Sequence, residues 1–237
     1  MPFFPLLAAL LVQRPQPAVD VDSTPALACG RLAASVAGGS VAASLERALL
    51  VHGGAVRWPA RTVSVWLQRR PLDVGSTGHD AGEWRAALAA GATAWSDVVS
   101  GLRVTVARDS TRADVRVVWA PTLRTAPDDP SAGALGALTA GRTTLVSDDD
   151  GRAVAATVVL ALATPDGAPY APRDVRAVTQ HEMGHALGLG HHASAGSVMA
   201  PLVTAERIGD EDRAVLRALY ALPIGTRCTA PAVIAAR

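Results

Sequence analysis

The stretch His181-Glu182-Met183-Gly184-His185-Ala186-Leu187-Gly188-Leu189-Gly190-His191 sets three imidazoles, one carboxylate and one turn glycine at fixed offsets, in the pattern H-E-x-x-H-x-x-G-x-x-H. Residues four apart stand one turn above the other on the same face of a helix, so His181 and His185 can share one ion. A third ligand from the same helix would fall in line with these two and would not close a tetrahedron. The chain therefore has to bend, and Gly188 stands where the bend is needed. Glycine takes a left-handed backbone without steric penalty and commonly ends helices. His191 then comes back toward the metal. Three neutral imidazoles leave the fourth zinc position to water, the arrangement of a catalytic site and not of a closed structural one. Bound zinc brings the pKa of such a water toward neutrality and polarises a substrate carbonyl. Glu182, beside the first ligand, is placed to take the water's proton and hand it to a leaving amine.

Joined with Met199 in Ser197-Val198-Met199-Ala200-Pro201, these residues closely resemble the metzincin zinc peptidases, whose signature is the long zinc motif followed by a methionine turn. The matrixin-like branch is nearest, and the helix is similar to the matrixin one almost letter for letter. The resemblance reaches less sharply over roughly residues 60 to 223. It implies an α+β, metzincin-like zincin: a twisted mixed sheet of about five strands, three main helices, and a zinc cleft at the end of the active-site helix. It further implies a zinc-dependent endopeptidase with Met199 as an apolar floor beneath the ligand histidines. A protein or peptide substrate would lie extended along the strand at 155–162, held by main-chain hydrogen bonds. Side-chain preference would come from a pocket walled by Val198, Met199 and residues 200–208.

Several positions depart from the family pattern. His192 follows the third ligand where matrixins carry Ser, which makes it a rival ligand, although the spacing favours His191. No Tyr stands two residues after Met199, so no tyrosine ligand is expected. The Arg-Cys-Gly core of the matrixin propeptide switch is absent. No histidine lies between His79 and His181, so one catalytic Zn2+ is expected and no second, structural zinc. Two alternatives to the endopeptidase share the motif: a catalytically inactive zinc-binding interaction module, and a zinc amidase acting on cell-wall peptides. Retention of Glu182 argues against the first, because a structural site has no use for that carboxylate. The second remains open.

The 237 residues carry a net charge of +1, and all 22 basic side chains are Arg. No broad field draws in nucleic acid or an anionic membrane, and 4% aromatic content offers few stacking platforms for bases. Residues Phe3 to Val12 form an apolar run broken by Pro5, too short for a membrane span but long enough for a signal-peptide core. Secretion is the expectation; a plain leader or a misplaced start is the alternative. Cys29 and Cys228 flank the central region, and a disulfide tying the two ends suits an exported protein. Two free thiols, or Cys29 as an inhibitory zinc thiolate, are the other options. The expected organisation is a leader at 1–28, an extension at 29–60, a catalytic domain at 61–223 and a tail at 224–237, in a monomer.

Period-two alternation predicts a strand at 61–68. Trp84, Leu88, Trp95 and Val99 predict an amphipathic helix over 81–100. Strand patterns follow at 103–107, 114–119, 142–146 and 155–162, the last nearly all apolar. Pro172 and Asp174 open the helix of the zinc motif, expected at 174–187. Asp210 opens a closing helix that turns Val215, Leu219 and Leu222 inward and ends before Pro223. The linker at 125–136 and the turn Asp148-Asp149-Asp150-Gly151 are candidates for Ca2+, against an ordinary hairpin turn for the latter. His52 and His79 read as exposed loop residues without metal partners, and Tyr170 as a packing residue.

Overall fold

The computed structural model describes residues 25–71, 81–124, 138–164, 166–192, 194, 196–202 and 205–228. Within them the elements run α1 (Pro25–Val36), α2 (Gly39–His52), β1 (Thr62–Leu67), α3 (Ala81–Thr93), β2 (Arg103–Ala107), β3 (Val115–Ala120), β4 (Leu123–Arg124), β5 (Leu138–Thr139), β6 (Gly141–Ser147), β7 (Ala153–Ala161), α4 (Pro172–Ala186) and α5 (Asp210–Ala221). The expected leader falls mostly on residues 1–24, and the 125–136 linker and His79 fall wholly on residues outside this description.

Alternation decides the sheet. In β1 the side chains of Val63, Val65 and Leu67 are buried while Thr62, Ser64 and Trp66 face outward to differing degrees. Five strands pair in the order β2-β1-β3-β7-β6, parallel except for β6, which runs antiparallel to β7 at one edge. β4 and β5 form a separate two-stranded ladder. This is the mixed five-stranded sheet expected from the resemblance. One expectation is corrected: the strand at 155–162, expected as the edge available to substrate, is β7, and it lies inside the sheet between β3 and β6. The edge is β6. β7 is apolar along most of its length, yet only Ala153, Ala156, Val158, Leu160 and Ala161 are buried; Thr157 and Val159 are half-buried and Val154 and Ala155 exposed.

The helix expected over 81–100 stops at Thr93, and Trp95 and Val99 lie in the turns beyond it. There Asp97 takes φ +62 and Gly101 φ +75, which no continuing helix allows. All four apolar residues are nevertheless buried. α3 packs closely on α4 because Gly91 has no side chain: a Cβ there would stand 2.7 Å from both Arg176 O and Thr179 Cβ. α4 begins with Pro172 at its first turn, and Asp174 Oδ2 accepts from Ala171 N at 3.2 Å.

α1 and α2 are two helices beyond the three expected, and they occupy most of the expected extension. α2 ends on Gly53 at φ +66. His52 lies in the last turn of α2 and is half-buried, not an exposed loop residue, and burial lowers its pKa. The Asp148–Gly151 segment is the hairpin turn joining β6 to β7. Asp148 Oδ1 accepts from Asp150 N at 3.0 Å and Arg152 N at 2.8 Å, and the Arg152 guanidinium contacts Asp148 and Asp150.

The two cysteines are joined. Cys29 of α1 and Cys228 form a disulfide with a Cα–Cα distance of 4.7 Å across a sequence separation of 199. Beside it, Gly54 bridges to Arg227 and Ala55 N donates to Thr226 O at 2.8 Å. A crosslink closing so long a loop restricts the unfolded chain strongly, so Cys29→Ser with Cys228→Ser should lower unfolding free energy by about 2–5 kcal/mol. Urea denaturation of the oxidised protein and the double variant measures it; coincident curves would refute the stabilising role.

Candidate metal centre

Helix α4 sets the offsets of the motif. It ends in a double hydrogen-bonded turn: Leu189 N donates to Gly184 O at 3.0 Å and Gly188 N to His185 O at 2.9 Å, with Gly188 at φ +99. This pattern satisfies the carbonyls of the last turn and swings the chain away from the helix axis. A side chain on Gly188 would also collide with Val56 O. Trp58 Nε1 supplies a further donor to this end, reaching Ala186 O at 2.8 Å. The bend expected at Gly188 is therefore present, and it carries His191 back toward His181 and His185.

The three rings meet. Their centroids lie 4.7 Å (His181–His185), 5.2 Å (His181–His191) and 4.8 Å (His185–His191) apart, and their candidate ligand atoms all fall within 4.8 Å of one another. The tautomers of the two helical rings are dictated by their neighbours. His181 Nδ1 lies 2.7 Å from Val198 O and His185 Nδ1 lies 2.8 Å from Leu189 O. A carbonyl only accepts, so each Nδ1 is the protonated nitrogen and each Nε2 is left as a bare lone pair. These two Nε2 atoms face each other at 3.0 Å. In a tetrahedral zinc site with Zn–N bonds near 2.05 Å, ligand nitrogens stand about 3.3 Å apart. Two lone pairs held at that separation fit a cation between them and little else. Zinc matches the donor set, and the residues that would hold it are His181, His185 and His191.

Burial keeps these rings neutral. It lowers the pKa of His181 to about 4, partly offset by the Val198 carbonyl, and lowers that of His185 well below the ordinary value, helped by the neighbouring imidazoles. Neutral rings are the ligand form. Glu182 is buried as well, and burial raises its pKa to about 7, against the opposing pull of the Thr143 hydrogen bond and Arg142. A carboxyl so tuned can exchange a proton near neutral pH.

His192 is not a member of the cluster. It is fully buried, with Nδ1 3.2 Å from Asp212 Oδ1 and 3.1 Å from Ser197 Oγ. Asp212 is the hub of this corner. Burial would raise its pKa, but hydrogen bonds from His192, Ser197 and the Gly209 and Val198 backbone outweigh that and hold it below the ordinary value. It caps α5 by accepting from Gly209 N at 2.8 Å and pins the methionine turn by accepting from Val198 N at 3.2 Å. Asp210 begins α5 as expected, but the capping carboxylate is Asp212, whose position three residues after Gly209 is the signal that sequence reasoning passed over.

Met199 is fully buried, with its Sδ against Gly184 of α4. Val198 is equally enclosed, while Leu202 is 77% exposed. Tyr170 packs against the core, as expected. Cys29 is bound to Cys228 and supplies no thiolate. One partner of the site escaped sequence reasoning entirely: Thr143 of β6, whose Oγ1 lies 2.7 Å from Glu182 Oε2. No motif links residues 39 apart.

The matrixin family model matches residues 73–221 of the chain, a span that includes the three histidines, Glu182, Met199 and all five strands of the sheet except β1. This chain belongs to the matrixin family of metallopeptidases. No curated protein matches it significantly.

The shifted groups of the site oppose each other in the metal-free protein, His181 and His185 being lowered and Glu182 raised. His181, lowered from 6.5 to about 4, leaves the unfolded chain binding an extra proton between those values, so its contribution to stability falls as pH drops through that window. Glu182, raised from 4.5 to about 7, leaves the folded chain holding the extra proton, so its contribution is present below pH 4.5 and lost as pH rises toward 7. In chelator-treated protein, Glu182→Gln should remove the second slope and gain stability over wild type on going from pH 4.5 to 8, by about 3 kcal/mol at most. Urea midpoints that run parallel for the two proteins across this range would contradict the burial-driven shift.

Proposed function

We propose that this matrixin-family chain is a zinc-dependent endopeptidase in which His181, His185 and His191 hold the metal and Glu182 serves as general base and then general acid. The observation that carries the reading is the pair of bare Nε2 lone pairs at 3.0 Å, on a helix that also carries a buried carboxyl whose pKa is raised to about 7. Zinc, when bound, supplies a Lewis acid that polarises the scissile carbonyl and acidifies a water. The protein's own groups do the rest. Val198 O and Leu189 O hold the two helical rings in the tautomer that offers Nε2. Glu182 accepts a proton from the attacking water at its carboxylate and releases it to the nitrogen of the leaving amine.

The edge strand β6 supplies the docking line for an extended peptide. It is one of the two edge strands of the sheet and it touches Glu182 through Thr143, so a substrate backbone laid along it passes the general base. Main-chain pairing of this kind tolerates many sequences, and preference would come from the segment between Ala200 and Ile208. The catalytic unit is taken as residues 61–223, which encloses the matched span. The Cys29–Cys228 disulfide supports an extracytoplasmic setting, because such bonds persist in oxidising compartments. No helix among the described residues is long and apolar enough to cross a membrane.

Zinc-loaded protein incubated with a mixed peptide library should cleave internal peptide bonds. Glu182→Ala should keep one zinc per chain and lose about 10²- to 10⁴-fold in rate, whereas His191→Ala should lose the metal. Zinc retention without cleavage by wild type would point to a binding module, and cleavage limited to cell-wall peptides would point to the amidase.

A further inference from the structure

We propose that Thr143 is a positioning residue for Glu182, and that β6 forms a slot which holds the general base in one orientation. The inference rests on the endopeptidase reading and adds to it a residue that lies outside the zinc motif.

Thr143 Oγ1 lies 2.7 Å from Glu182 Oε2 and 2.9 Å from Glu182 O, so one hydroxyl touches both the side chain and the backbone of the same residue. Two positions earlier on the same strand, Gly141 meets the rest of that side chain. A Cβ at 141 would stand 2.5 Å from Oε1, 2.7 Å from Cγ and 2.8 Å from Cδ of Glu182. Residues 141 and 143 share one face of β6, since side chains alternate along a strand. The carboxyl is thus flanked by a hydroxyl on one oxygen and by bare backbone on the other. The pairing of β6 with β7 fixes both contacts, placing Gly141 opposite Leu160 and Thr143 opposite Val158.

The chemistry of a hydroxyl suits a base that must become an acid. It has one proton to give and two lone pairs to receive. While Glu182 is a carboxylate, the Thr143 hydroxyl donates to Oε2. Once Glu182 has taken a proton, the carboxyl O–H donates to Thr143 Oγ1, and the hydroxyl's own proton turns to Glu182 O. The Oε2–Oγ1 contact is kept in both states, so the side chain need not change rotamer as the proton arrives and leaves. A valine at 143 keeps the shape and removes both options. An alanine at 141 leaves the hydroxyl but pushes the carboxyl out of its slot.

The test uses the full zinc-loaded chain and three variants, Thr143→Val, Thr143→Ser and Gly141→Ala, each checked for one zinc per chain. Loss of one hydrogen bond to a charged group should lower kcat about tenfold in Thr143→Val with KM unchanged, and Thr143→Ser should recover it to within about twofold. Gly141→Ala should lower kcat at least as much. A readout independent of turnover is the affinity for acetohydroxamate, which gives up its proton to a neighbouring base as it chelates zinc. By calorimetry it should weaken by a similar factor in Thr143→Val and recover in Thr143→Ser. If Thr143→Val does not fold, Gly141→Ala against wild type carries the same comparison. Wild-type kcat and acetohydroxamate affinity in Thr143→Val, or equal losses in the Val and Ser variants, would overturn the proposal. A wild type that binds acetohydroxamate but cleaves no peptide would sink the endopeptidase reading instead, while the calorimetric comparison still decides the role of Thr143.

Discussion

Two imidazole lone pairs, on His181 and His185, are held face to face at 3.0 Å, and most of the local architecture serves that unfavourable contact. Each ring is fixed by a single carbonyl on its far nitrogen, and the two carbonyls come from different turns. Leu189 O belongs to the turn that ends α4, and Val198 O to the methionine turn. The first turn exists because Gly188 can adopt φ +99 against Val56 O. The second exists because Asp212 accepts from Val198 N, and Ser197 donates to Asp212 while accepting from Met199 N. A local conflict of this kind, maintained by well-satisfied surroundings, is characteristic of functional sites.

Helix α4 can afford the conflict because it is gripped along its length. Trp95 Nε1 donates to Gln180 O and Trp58 Nε1 to Ala186 O, both at 2.8 Å, one from the turns after α3 and one from the segment before β1. Gly91 lets α3 approach Thr179, and Gly184 lets Met199 rise against the helix. Four consecutive polar residues, Thr179 to Glu182, are buried as a result. Burying charge is expensive, and the site avoids it by holding neutral forms: burial depresses the histidine pKa values and raises that of Glu182. An incoming cation therefore meets, on His181 and His185, lone pairs already free of protons.

Much of this was legible in the sequence, because periodicity and motif spacing are local. The strands at 103–107 and 142–146, the closing helix and the convergence of the three histidines all follow from patterns within about a dozen residues. What was not legible is long-range. Strand order is invisible to alternation, and the edge that the family resemblance gives to residues 155–162 belongs to β6. Trp95 and Val99 keep helical spacing with Trp84 and Leu88, yet Trp95 is drawn out of α3 by its hydrogen bond to Gln180 O, a contact across 85 residues. The departure at His192 read as a rival ligand because composition cannot show that a buried Asp212 already holds it.

The third histidine differs from the other two, since it stands beyond the helix and takes its place from the loop that follows. That loop leans on residues outside the span matched by the family model. Gly190 lies so close to α2 that a Cβ would meet Ala48 N at 3.0 Å and Arg47 C at 3.2 Å. Glu211 joins the same region from both sides, accepting from Ser44 of α2 at 3.1 Å and from Ser194 just past His192. The α1–α2 hairpin is in turn anchored at Cys29 to the segment that follows α5. The residues that define the motif thus depend, for the position of His191, on the α1–α2 hairpin. A fragment cut to residues 73–221 would keep the signature and lose Trp58, Ala48 and Val56, the groups against which the end of α4 and its turn are packed. The site is as much a product of that packing as of the spacing that first betrays it.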